Sequence, residues 1–417
     1  MIIHSSSQLL TLAGGPQRGG DLGHLGIIED GAVVIQNETI AAVGKTAEIR
    51  ASFPHEEEFD AKGCVVMPGF VDPHTHLVWA GNRAAEFEMR LQGKTYLEIQ
   101  AAGGGIISTV SATREAGPVE LARQTRARAS DIFKFGTTTA EVKTGYGLTT
   151  DSELQQMAII LDLDLEGPLE MVPTFLGAHA VPAEYKNDPD GYTHLVCSEM
   201  LPKVIDFWQE SGTAKPLPFV DVFCETGAFS LSQSRLILET ARSLGFPLKI
   251  HADEFDNLGG ASLAASFGAA SADHLVKTSS ADIRALAKSD TVAVALPCTP
   301  FGLGDSHYTP ALEIISENGL LAVASDMNPG TAWCGNMQFV LALACRYLRL
   351  TPAQAIAAAT INAAAAVQRS EKIGSLEAGK QADLLILKVD DYRHLGYQFG
   401  GNLVSHVIKR GKFYPAE

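Results

Sequence analysis

Two histidines two residues apart, just beyond an apolar run, constrain this chain more than any other feature: Met67-Pro-Gly-Phe-Val-Asp-Pro-His74-Thr-His76. Side chains alternate along an extended strand, so His74 and His76 share a face that can grip one metal ion while Thr75 turns away. Cys64, Val65, Val66 and Met67 read as the buried strand that delivers them. An isolated His-x-His is as often a chance pair in a loop, and only context separates the two readings. Three further segments supply that context: Pro247-Leu-Lys-Ile-His251-Ala-Asp-Glu254, Ser271-Ala-Asp-His274, and the run from Gly319 through Asp326 to Asn328-Pro-Gly330. In each, an ionisable group stands at a strand exit. The C-terminal ends of strands in a parallel α/β barrel converge on one mouth, where such groups meet whatever their separation in sequence.

Between residues 67 and 366, strand-like runs alternate with helical stretches, which predicts an α/β fold, a (β/α)8 TIM-like barrel. Its eight strands lead into His74, Lys143, His179, Glu225, His251, His274, Pro297 and Asp326. Helices are expected over 152–163 and 232–244, with Ser152 and Ser232 as N-caps, and an alanine-rich one over 351–367 opens Thr-Pro and should pack outside the barrel. The stretch 31–44 reads as a hairpin, and 382–387 and 405–413 read as strands. Residues 1–66 and 367–417 are therefore expected to form a small β-sandwich domain built from both chain termini, with the barrel inserted between them.

Composition narrows the partners. A formal net charge of −16 without a basic stripe argues against nucleic acid. An arginine in a cleft can still take a small anion, because distant charges are screened. Six scattered cysteines without a Cys-x-x-Cys pair read as reduced and mostly buried. No signal peptide or apolar run of membrane-spanning length is evident, so the expected location is cytoplasmic, with no membrane partner. A homodimer is expected because twofold assemblies are the commonest soluble oligomers.

Three histidines and a carboxylate suit zinc or iron with one position open to water, and such an ion makes water acidic enough to attack an amide-like bond. Asp326 can serve as ligand and proton acceptor, and Glu254, three residues past His251, can exchange protons with a substrate. His274 is either an oxyanion donor or a further ligand. The candidate fourth strand, Phe219-Val-Asp-Val-Phe-Cys-Glu225, offers no lysine for a carboxylated bridge, which favours one metal over two.

The segments Pro68-Gly-Phe-Val-Asp-Pro-His-Thr-His76, His251-Ala-Asp-Glu254, His274 and Ser325-Asp326 resemble the amidohydrolase superfamily. Those around Asn82-Arg83, Thr144-Gly-Tyr146-Gly, Gly177-Ala-His179 and Asp326-Met-Asn328-Pro-Gly330-Thr331 are similar to its imidazolonepropionase family over nearly the whole chain. That resemblance implies hydrolysis of the ring amide of 4-imidazolone-5-propanoate in histidine degradation. It implies one Zn2+ or Fe3+ per subunit on His74, His76, His251 and Asp326. By the same resemblance Arg83 takes the propanoate, and Tyr146, His179 and Glu254 contact the ring. Asn328, Gly330 and Thr331 touch substrate or product, with backbone amides beside Gly330 available to a carboxylate. A mononuclear deaminase of a purine- or pyrimidine-like ring is the alternative, and ammonia release discriminates it. Gly103-Gly-Gly105 lacks a phosphate-binding pattern and is expected to be a lid, while Lys409-Arg-Gly-Lys412 reads as a solvated strand end.

Overall fold

The computed structural model describes residues 1–94, 98 and 104–416. Eight parallel strands follow one another in sequence order around a barrel: β1 (Phe70–Asp72), β2 (Thr137–Lys143), β3 (Glu170–Ala178), β4 (Phe219–Cys224), β5 (Lys249–Ala252), β6 (Ser271–His274), β7 (Val292–Ala295) and β8 (Leu321–Val323). The seam between β8 and β1 is sealed just past their ends. Asp326 N donates to His74 O (3.1 Å), His76 N donates to Met327 O (2.9 Å), and Thr75 bridges Met327 in parallel.

The apolar residues at 64–67 do not deliver the histidine pair. Val65–Pro68 belongs to a different sheet, pairing with Leu384–Leu387 and Gln8–Leu10, and the barrel strand is the three-residue β1. Gly69 marks the crossing from one sheet to the other: a Cβ there would sit 2.3 Å from Thr138 Oγ1. His74 and His76 lie beyond β1, yet the Thr75 bridge keeps them extended and on one face.

The chain ends form two further sheets. One holds Thr39–Lys45, Gly31–Gln36, Ile2–Ser6 and Glu58–Asp60; the other runs from Lys412–Pro415 through Val404–Lys409, Leu384–Leu387, Val65–Pro68 and Gln8–Leu10 to Ile27–Ile28. Ile3, Val33 and Ile35 of the first pack against Leu9, Val66, Leu384 and Ile386 of the second in one buried cluster. The hairpin expected over 31–44 is present as Gly31–Gln36 against Thr39–Lys45. Lys409 is not solvated. It is buried against Asp383 (2.7 Å) and Glu170 at the start of β3 (3.0 Å), where it ties the terminal sheet to the barrel.

The two expected helices begin earlier than expected. Thr150–Glu166 is capped by Thr149, whose hydroxyl accepts from Ser152 N, and Leu231–Ser243 is capped by Ser230 in a capping box with Gln233. The alanine-rich stretch is two helices. Thr351 caps Pro352–Ala358 in a second capping box, the chain breaks at Ala359-Thr360, and Ile361–Ala366 turns inward. Its Ala363, Ala364 and Ala366 join Val71, Val172, Phe219, Val292 and Ala322 in one buried cluster, so it packs on the barrel interior. Ala359 O accepts from Val71 N, and Asn362 Nδ2 donates to Leu321 O. Small side chains permit this approach. No helix among the described residues is long and apolar enough to cross a membrane.

Candidate active site

The barrel interior is layered. Below lie the apolar residues just named; above them sit five charged side chains, Glu141 and Lys143 (β2), Asp221 (β4), Lys249 (β5) and Asp273 (β6), all without solvent exposure. The period-two alternation of strands puts Lys249 and His251 on the same inward face, and Glu141 and Lys143 likewise. Lys143 Nζ lies 2.7 Å from both Glu141 Oε1 and Asp221 Oδ2, and Lys249 Nζ lies 2.5 Å from Glu141 Oε2. Burial would lower the Lys143 pKa, but Asp221, Glu141 and Asp273 outweigh it and push it up. Its ammonium is thus held charged and its pairs filled.

Five histidines crown this layer: His74, His76, His179, His251 and His274. His74 Nδ1 is 2.6 Å from Asp273 Oδ2, which turns Nε2 toward the mouth. His251 Nδ1 is 2.9 Å from Asp221 Oδ2, close but poorly aligned as a hydrogen bond. Nε2 of His74 and Nε2 of His251 are buried with no partner. Asp326 Oδ1 stands 3.5 Å from Nε2 of both His74 and His76, and its Oδ2 accepts from Thr299 Oγ1 at 2.5 Å. Overlapping groups of donor atoms within 4.8 Å link all four expected ligands: His74 with His76 and Asp326, His74 with His251 and His274, and His76 with His179 and His251. Unpartnered imidazole nitrogens beside a carboxylate, each backed by a second carboxylate, are the donor chemistry of a zinc or iron site. The residues therefore fit the ion.

Above the histidines opens a cavity of about 790 Å³. It is lined by His76, Arg83, Tyr146, His179, His251, Glu254, His274, Asp326, Asn328, Gly330 and Thr331, with His74 just beneath. Asp253, His274 and Asp326 adopt left-handed φ values of 57°, 79° and 54°, a cost that non-glycine residues bear where the chain must aim side chains off a strand end. Burial, reinforced by Asp326 and Glu225, pushes the Glu254 carboxyl well above its usual range, and its Oε2 is 3.6 Å from His274 Nε2. Burial also keeps His274 neutral, pushed well below its usual value. His179 is lowered to about 3 by burial and by His251; its Nδ1 is 3.0 Å from Gly145 O, and its ring stacks on His76 at 4.9 Å. Burial raises Asp326 to about 6 against the opposing Thr299 hydrogen bond.

Arg83 enters from the side, fixed by Nε donating to Thr109 Oγ1 (3.0 Å). The neighbouring Arg90 donates to Gly330 O at 3.1 Å. The amides of Gly330 and Thr331 are not free for a carboxylate as expected. Both donate to Asn328 Oδ1, at 2.8 and 2.9 Å, so Asn328 builds the turn and the anion must be met by side chains. Of the expected glycine lid, Gly103 lies outside the described residues; Gly105 N donates to Glu86 Oε2 (2.7 Å) beside Arg83.

Several supporting residues escaped the sequence reading. Glu225 was visible only as a strand exit; its carboxylate accepts from the amides of Thr226, Phe255 and Asp256 and so sets the turn that carries Glu254. Glu153, inside a helix, accepts from the amides of Gly145, Gly147 and Leu148 and holds the Tyr146 loop. Its signal was an acid at an inward helix position, which alone says nothing about a loop.

The amidohydrolase family profile matches residues 65–414, and an imidazolonepropionase-like composite domain of bacteria matches residues 31–55. The chain is 50% identical to an imidazolonepropionase of Herpetosiphon aurantiacus, covering 99% of this chain and 96% of that one. It is 46% identical to an imidazolonepropionase of Symbiobacterium thermophilum, covering 100% and 97%. Among solved structures, its fold is similar to atrazine chlorohydrolase from Arthrobacter aurescens complexed with zinc (TM-score 0.73, 15% identity, 99% and 94% covered). It is also similar to an adenosine deaminase from Xanthomonas campestris with bound zinc (TM-score 0.71, 19% identity, 99% and 92% covered). By sequence over its full length, this chain belongs to the amidohydrolase family and, within it, to the imidazolonepropionases.

Proposed function

We propose that the chain hydrolyses the ring amide of 4-imidazolone-5-propanoate to N-formimidoyl-L-glutamate, with one zinc or iron ion held by His74, His76, His251 and Asp326. The observation that carries this reading is the convergence of unpartnered imidazole nitrogens, Asp326 and a cationic side wall on one cavity, in a chain whose relatives are imidazolonepropionases. When bound, such an ion makes water nucleophilic at neutral pH and polarises a carbonyl.

The chain's own residues do the rest. Arg83, with Nε donating to Thr109 and Nη1 3.8 Å from Glu86 Oε1, lines the cavity where its guanidinium would meet the propanoate, and a guanidinium can meet a carboxylate with two parallel hydrogen bonds. Tyr146 and His179 flank the ring, and the neutral His179, with Nδ1 on Gly145 O, presents Nε2. Asp326 accepts the proton of the attacking water. Neutral His274 donates its one N–H to the oxygen on which charge develops. Glu254, kept protonated by burial, delivers a proton to the departing ring nitrogen as the carbon–nitrogen bond breaks. Water thus supplies the oxygen of the new carboxylate and, through these acids, the hydrogen on nitrogen.

Loss of imidazolone absorbance with ammonia followed in parallel tests the reading. Turnover without ammonia supports it; ammonia released in step with substrate loss assigns the chain to ring deamination instead.

A further inference from the structure

The mechanism leaves one group of buried charges unused: the five side chains beneath the histidines. Two of their carboxylates face imidazoles from other strands. Asp273 of β6 meets His74 Nδ1 beyond β1, and Asp221 of β4 meets His251 Nδ1 on β5. Lys143 of β2 reaches both, 2.7 Å from Asp221 Oδ2 and 3.6 Å from Asp273 Oδ2, while a third contact holds it to Glu141 at 2.7 Å. Lys249 also faces Asp273, at 3.9 Å, but its hydrogen bonds go to Glu141 Oε2 and Pro73 O and it forms no ion pair with Asp221, so among the described residues Lys143 is the one that joins the two carboxylates.

Resting on the metal reading above, we propose that Lys143 is a positioning residue for the metal centre: it clamps Asp221 and Asp273 together, and through them aims His251 and His74 at a common point. Without its ammonium, three buried carboxylates would share one remaining cation, and like-charge repulsion would drive Asp221 and Asp273 apart, carrying both imidazoles with them. Carboxylates behind metal-binding histidines commonly set affinity by fixing tautomer and orientation. Here one lysine would set two of them at once.

Positioning and simple charge predict opposite signs. Removing a nearby positive charge should tighten cation binding, whereas losing alignment should weaken it. The test is zinc affinity by chelator competition on wild type, K143M, D221N and K143M/D221N, with the visible spectrum of the cobalt-substituted proteins as a report on ligand geometry. K143M is expected to bind zinc about tenfold to a hundredfold more weakly, with an altered cobalt spectrum. The double variant should lose less than the two single losses combined, because Lys143 acts on His251 through Asp221, and the remainder is the Asp273 and His74 side of the clamp. Unchanged or tighter zinc binding by K143M overturns the proposal, as do fully additive losses. Should K143M fail to fold, D221N decides: its Asn keeps the shape, and affinity equal to wild type overturns the clamp. Wild-type protein that binds no zinc or iron would instead overturn the metal reading on which the clamp rests.

Discussion

Gly330 shows how closely single atoms are matched at this site. A Cβ there would stand 2.5 Å from Arg83 Nη1 and 3.0 Å from its Cζ. Gly330→Ala should therefore displace the guanidinium proposed above to take the substrate carboxylate, raising KM several-fold while kcat and thermal midpoint stay near wild type; an unchanged KM would count against that role for Arg83. Glu254→Gln keeps size but cannot cycle a proton, and kcat should fall by about 10²-fold or more with metal content unchanged. Steady-state kinetics beside metal analysis checks this. The ionisable groups at strand exits were legible as residues because apolar runs ended on them. The charged layer below was not. Lys249 in Leu-Lys-Ile-His and Asp221 in Val-Asp-Val look like breaks in a core pattern until strand alternation places each facing inward, and their partners come from other strands.

Among the elements, the loops after β2 and β5 are each held by one carboxylate. Glu153, buried, gathers three backbone amides of the loop bearing Tyr146. Glu153→Ala strands those donors, at about 1–3 kcal/mol for an unsatisfied buried group, so the variant should lose at least about 2 kcal/mol in denaturant unfolding and raise KM through Tyr146. Stability equal to wild type would mean water replaces the carboxylate. Helix starts were misplaced by two or three residues because serines and threonines cluster there. Thr149 prevails over Ser152, and Ser230 over Ser232, because each reaches the amide three residues ahead. The break within 351–367 was illegible for a different reason: alanines favour one continuous helix, whereas Asn362 is drawn to Gln17 and Leu321 by contacts far away in sequence.

At the scale of the molecule, the barrel order was readable from the alternation of strands and helices, since parallel neighbours need a crossover and leave few topologies. How the terminal sheets meet the barrel was not, because Lys409 and Arg410 belong to a charged run that composition assigns to solvent. Burial would raise Glu170, but Lys409 and then Gln381 and Arg410 outweigh it and hold the carboxyl at about 2, below its ordinary 4.5. A depressed acid stabilises the fold above its unfolded pKa and loses that contribution as pH falls toward the folded one. The Glu170 contribution, on the order of 3 kcal/mol at neutral pH, should therefore vanish between about pH 4.5 and 2. Glu170→Gln should be less stable at pH 7 and show a shallower acid slope in that window by thermal midpoint. Parallel slopes would place the acid sensitivity elsewhere.

The proposed function requires this barrel to open an imidazolone ring with one ion on His74, His76, His251 and Asp326. Adding zinc or iron stepwise to metal-free protein and following loss of imidazolone absorbance tests it most directly. Turnover is expected to be absent at the start, to rise linearly and to saturate at one ion per chain, with Asp326→Asn inactive throughout. Turnover by metal-free protein, or saturation only at two ions, would contradict it.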